Sequence, residues 1–150
     1  MEIMGLPLHP LVVHAVVVLV PLASLGGIVI SLWGAARKRY GWLTVAFAAA
    51  AAGSTFVAQK AGEAFYATFA RPTEAMEHHM TLGGQLLPWV IILFVGTVAV
   101  MFAQRLIDHQ DSRGRIMVIV GGVVTVVMAL VSIVQVARIG HSGATAGWGG

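Results

Sequence analysis

Cysteine is absent from the chain. That excludes disulfides, thiolate metal sites and cysteine nucleophiles, and it leaves the redox compartment open. Charge is scarce as well. Asp, Glu, Lys and Arg make up 10% of the 150 residues, where an ordinary soluble domain carries about a quarter. So few charges cannot coat a water-facing surface, but they suit one facing lipid. The formal charge is +3, from nine basic and six acidic residues. The basic residues form no single patch and no nucleic-acid motif is present, so a nucleic-acid partner is excluded. The chain opens Met1-Glu2-Ile3 with no basic segment and no small-residue cleavage site after the first apolar run. The expectation is that this run stays as a helix and is not removed as a signal peptide.

What the sequence does have is long apolar runs. Four are long enough to cross a bilayer, which takes about 20 residues. They cover residues 10–33, 42–61, 82–106 and 116–139. Backbone groups in lipid must pair within their own segment, so these are helices despite their Val and Ile content. The expected fold is an all-α membrane protein: one four-transmembrane-helix bundle over residues 1–150. Pro10 suits a first helical turn. Pro21 falls inside the first helix and should kink it, and Pro88 falls in the second turn of the third. Gly41 is expected to precede the second helix, Ser112 and Gly114 to mark a turn before the fourth, and Gly140 to end it.

The basic residues set the expected topology. The first loop holds Arg37, Lys38 and Arg39, and the third holds Arg105, Arg113 and Arg115. In the second loop Lys60 and Arg71 are offset by Glu63, Glu74 and Glu77, and the N-terminal segment has no basic residue. Both termini and the second loop are therefore expected outside the cytoplasm. Gly26 and Gly27, the alanine run 48–52 with Gly53, and Gly121 with Gly122 are candidate helix contacts. In the second loop, about residues 62–78, Phe65, Tyr66 and Phe69 share a helical face, which suggests a segment lying in the membrane interface. Met76 and its acidic neighbours read as a solvated turn.

The chemistry-bearing residues are six histidines: His9, His14, His78, His79, His109 and His141. In this topology only His109 is inside. Depth matters more than number. His9 and His14 flank the start of the first helix, His79 precedes the third, His141 follows the fourth and Glu63 follows the second. In a closed bundle these five share one membrane level and can converge as a metal site. His14 lies five residues after His9, about 7.5 Å along a helix and some 140° around it. The two can still converge, because His9 precedes Pro10 and is expected not to be helical. An imidazole at the depth of His14 is costly unless partnered. Each residue also has a plain use. His9 can cap a helix and His14 can bond a carbonyl. Glu63 can pair with Lys60, and His141 can be simple tail. His78 and His109 read as solvated loop.

Taken together these segments resemble domain-of-unknown-function family 2231, small bacterial predicted four-helix membrane proteins. The likeness covers almost the whole chain. It rests on Leu8-His9-Pro10-Leu11-Val12-Val13-His14, Gly62-Glu63, His79-Met80-Thr81-Leu82-Gly83 and Gly140-His141-Ser142-Gly143-Ala144. Many relatives place an aromatic-proline pair where this chain has Ala15-Val16. The resemblance implies that His9, His14, His79 and His141 matter together, and it supplies no activity.

Neutral imidazole is the usual nitrogen ligand for haem iron, copper, zinc and non-haem iron. The leading expectation is one haem b at the outer side, held by His14 with His79 or His141, in an electron-transfer protein or redox-complex subunit. Copper, zinc or non-haem iron on His9, His14, Glu63, His79 and His141 fits the same residues. The alternatives are a metal-handling protein and a non-catalytic accessory subunit. Lipid is the expected partner, with a second copy or redox subunits as candidates. Transport has less support, because the mid-membrane segments are nearly pure Val, Leu, Ala and Gly. A serine triad has little support, because His141 and Ser142 are a chance pairing with no carboxylate assignable as its orienter. External pH sensing by the clustered imidazoles is secondary.

Overall fold

The computed structural model describes residues 2–3 and 6–148, with side chains from His9 onward. Two short strands, β1 (Glu2–Ile3) and β2 (Leu6–Pro7), pair antiparallel ahead of the first helix. Four helices follow among the described residues: α1 (Leu8–Leu32), α2 (Gly34–Tyr66), α3 (Glu74–Asp108) and α4 (Arg113–Trp148). Each is long and apolar enough to cross a membrane. They close into a ring in which α1 packs on α2 and α4, and α3 packs on α2 and α4, with little contact across the diagonal.

The distribution of side chains is that of a bundle in lipid. Its centre holds small and hydroxyl-bearing residues, among them Ala23, Ala48, Ala51, Thr97, Thr125 and Ala129. Its outer surface carries large apolar ones, such as Leu25, Val95, Val123 and Leu130. An apolar outer surface of this extent is not tolerated in water. Two buried threonine hydroxyls are satisfied along their own helices, Thr55 donating to the Ala51 carbonyl at 2.7 Å and Thr125 to the Gly121 carbonyl at 2.7 Å, whereas the buried Ser24 and Ser132 hydroxyls find no partner among the described residues. Three glycines allow close helix contact. A Cβ on Gly27 would stand 3.0 Å from Thr125 Cγ2, one on Gly26 would stand 3.0 Å from Thr44, and one on Gly122 would stand 3.4 Å from Ser31.

The helices overrun the apolar segments. α2 starts at Gly34, with only Trp33 between it and α1. Arg37, Lys38 and Arg39 are therefore helical, and Gly41 lies buried inside α2 facing Met101, not before the helix. At its other end α2 runs to Tyr66, so Phe65 belongs to a bundle helix, not to a separate interfacial segment. Thr73 caps α3 by accepting the Met76 N–H, which puts Glu74, Met76 and Glu77 in its first turn. α4 continues past Gly140 to Trp148, so His141 is helical. Hydropathy marks the hydrocarbon-crossing part of a helix, and hydrogen bonding carries each helix on into the polar boundary. The α3–α4 turn is set by Gln110, whose φ of 60° is left-handed. The chain start, the α2–α3 connection and the end of α4 all lie at one end of the bundle, the histidine end. Arg37 and Asp108 mark the opposite, arginine end.

Candidate functional site: a paired-imidazole centre

All four helices contribute to one site at the histidine end. α1 supplies His9 and α3 supplies His79. Their ring centroids are 6.4 Å apart and their planes nearly perpendicular, at 82°. Each ring rests on a glycine of a neighbouring helix. A Cβ on Gly62 of α2 would stand 3.0 Å from His9 Cε1, and a Cβ on Gly143 of α4 would stand 3.1 Å from His79 Cε1. Phe65 stacks on His9 at 6.1 Å, and Phe69 packs edge-on against Phe65 at 5.1 Å.

Hydrogen bonds orient both rings the same way. His9 Nδ1 lies 3.2 Å from the Ala58 carbonyl oxygen. A carbonyl only accepts, so Nδ1 carries the proton and Nε2 the lone pair. His79 Nδ1 lies 3.0 Å from Ser142 Oγ. That hydroxyl already donates to the Ile139 carbonyl at 2.9 Å. It therefore accepts from His79 Nδ1–H, and His79 also keeps its lone pair on Nε2. Among the described residues, neither Nε2 bonds to a protein group. This is the arrangement of ligating histidines, whose second nitrogen is held by a carbonyl or hydroxyl that fixes the tautomer.

Two cavities meet at the pair. A narrow cleft of about 70 Å³ runs between the helices and is lined by His9, Val13, Ala58, Gly62, His79 and Met80. A vestibule of about 470 Å³ opens beyond it, lined by His9, Phe65, Phe69, Met76, His79 and Met80. His9, His79 and Met80 line both, so the imidazoles and the thioether form the partition between them.

Of the five residues expected to converge by depth, two meet. Leu8 onward is helical, so the angular offset between His9 and His14 holds, and His14 faces away. It is exposed, its Nδ1–H donates to the Pro10 carbonyl at 2.6 Å, and it lines neither cavity. Glu63 is exposed and pairs with Lys60 at 2.9 Å. His141 is exposed on another face of α4, in a separate cleft with His78 and Arg138. Among the described residues, no three His, Asp or Glu side chains group as a metal set. Ser142, Gly62, Gly143, Phe65 and Met80 were not among the expected site residues; Phe65 was expected on an interfacial face and Ser142 only as a hydroxyl beside His141. Four of these lie within or beside the quoted motifs, where the histidines and the glutamate drew attention first.

The arginine end has its own polar centre. Arg37 is buried, 8% exposed. Its Nε donates to Gln104 Oε1 at 2.8 Å, and its Nη1 donates to the Ile30 and Ser31 carbonyls at 2.9 and 3.3 Å. Those carbonyls belong to the last turn of α1, which has no helical partners for them. Gln104 in turn donates to Asp108 at 2.9 Å, and Asp108 pairs with Lys38 at 3.3 Å.

Four apolar helices, small residues inside and large apolar residues outside define a multi-pass helical membrane protein in contact with lipid. The chain matches the family described as predicted membrane protein (DUF2231) over residues 5–150, and it belongs to that family. No curated protein and no solved structure matches it.

Proposed function

We propose that this protein binds one transition-metal ion between His9 Nε2 and His79 Nε2, for electron transfer or metal handling at the outer face of a bacterial inner membrane. The observation that carries this reading is the pair of fixed tautomers, which leaves two unclaimed lone pairs on facing helices. The ring separation supports it. With metal–nitrogen bonds of about 2.0–2.1 Å, two imidazoles opposed across one ion have centroids roughly 6 Å apart, against the 6.4 Å here. Met80 lines both cavities beside the pair. A thioether with imidazoles favours copper over zinc or iron. The topology follows from the basic residues gathered at the opposite end.

A second reading, haem b, draws on the vestibule, whose size and aromatic lining suit an apolar macrocycle. The narrow cleft between perpendicular rings favours the bare ion. Elemental analysis and the visible spectrum of the protein purified in mild detergent separate the two. The expected result is one copper per chain and no Soret band. A Soret band that shifts on dithionite establishes haem instead. A metal-free, colourless protein that stays so after incubation with copper, zinc, iron and haem overturns both readings. His79→Ala is expected to abolish binding.

A further inference from the structure

A second cleft of about 530 Å³ lies between α3 and α4 at the histidine end, lined by Ala75, His78, Leu82, Arg138, His141 and Thr145 among others. Its chemistry differs from that of the imidazole pair. Arg138 is exposed and, among the described residues, takes part in neither ion pair and donates no hydrogen bond to a protein group. No carboxylate of the described residues lines the cleft. The hydroxyls in it are already committed: Thr145 donates to the His141 carbonyl at 3.0 Å and Ser142 to that of Ile139 at 2.9 Å. The donors left are the guanidinium and the imidazole N–H groups of His78 and His141.

Depth identifies what faces them. One turn toward the membrane interior, Gln135 Nε2 donates to the Leu82 carbonyl at 2.9 Å, and one turn outward Ser142 bonds His79. Arg138 sits between these rungs, at the boundary of the hydrocarbon, where an arginine extends toward the headgroups. The face of α4 below it continues through Val134, Leu130 and Val127, at spacings of four, four and three residues, and all three are exposed. A cation at the boundary above an apolar stripe matches one molecule: a lipid with its phosphate at Arg138 and an acyl chain along Val134 and Leu130.

We propose that this α3–α4 cleft binds the phosphate of an anionic lipid headgroup, with Arg138 as its charged donor and His78 and His141 as flanking donors. The site is separate from the metal reading and does not depend on it.

The test is native mass spectrometry of the detergent-purified full chain titrated with phosphatidylglycerol and with phosphatidylcholine. The wild type should prefer phosphatidylglycerol. A basic residue near a lipid surface contributes about 1 kcal/mol without any specific geometry, roughly fivefold. Arg138→Gln should therefore weaken phosphatidylglycerol binding at least about threefold more than Arg115→Gln at the other end of the bundle. A smaller difference overturns the site. If Arg138→Gln does not fold, His141→Gln replaces it, and an unchanged lipid preference in that variant also overturns the proposal. Displacement of the lipid by millimolar inorganic phosphate would make this a free-anion site and overturn the lipid assignment.

Discussion

Gly62 and His9 approach so closely that any side chain at position 62 must move the imidazole: a Cβ there would stand 3.0 Å from Cε1 and 3.2 Å from Nδ1. Nδ1 is the atom bonded to the Ala58 carbonyl. Gly62→Ala is therefore expected to displace the ring by a few tenths of an ångström and loosen its orientation. On the metal reading, affinity should fall about 10-fold or more, measured by competitive titration with a chelator. Gly53, with nothing within 4 Å of its Cβ position, supplies the control. Gly53→Ala should leave affinity unchanged and add up to about 1 kcal/mol of helix stability.

Ser142→Ala tests the other tautomer. Without Oγ, His79 Nδ1–H loses the hydroxyl acceptor that orients it. Loss of such a partner typically costs 10–100-fold in metal affinity. His141→Ala, one residue away on another face of α4, should leave affinity at the wild-type value. Equal losses in both variants would contradict the assignment of Ser142 as the orienting residue.

His14→Ala should change neither metal content nor stability by more than about 0.5 kcal/mol, as for an exposed residue away from the site. Its imidazole bonds only the preceding turn of its own helix. A variant purified without metal would show that His14 reaches the centre after all.

The contrast between His14 and His79 marks how far the sequence could be read. Depth along a helix follows from counting residues at a fixed rise, and all the expected residues do lie at one end of the bundle. Direction around the axis depends on where the helix starts and how its neighbours pack. That is why His9 was expected outside the helix and is found inside it. The four spans were legible because lipid forces helices from apolar runs. Their ends were not, because hydropathy says nothing of the polar turns beyond. Ser142 illustrates the remaining gap. As a hydroxyl beside His141 it suggested only a chance pairing, since its real partner, His79, lies 63 residues away.

Arg37→Met should lower stability by about 2–4 kcal/mol, because it leaves Gln104 and two α1 carbonyls buried without their donor. Arg37→Lys is not expected to restore it, since an ammonium cannot reproduce the forked geometry. Denaturant unfolding in detergent reads both. Metal content per folded chain should stay unchanged, as the two centres lie at opposite ends.

Gly114→Ala should also destabilise, by about 1–3 kcal/mol. A Cβ there would stand 2.7 Å from the Ile107 backbone nitrogen and 2.9 Å from the Ala103 carbonyl oxygen. Backbone atoms cannot swing aside as a side-chain tip can, so the α3–α4 turn itself must open. Thermal unfolding followed by circular dichroism measures the shift.

α1 is fastened twice, by His9 to the Ala58 carbonyl near its start and by Arg37 to its last carbonyls. A single-residue insertion between those fastenings would turn one against the other by about 100° and lengthen the rod by about 1.5 Å. Neither bond could then form while the other held. Between positions 9 and 30, therefore, the lettering of this helix can drift among apolar residues of similar size while its residue count cannot. A length constraint of that kind would be visible across relatives as an ungapped block, even where no individual residue repeats.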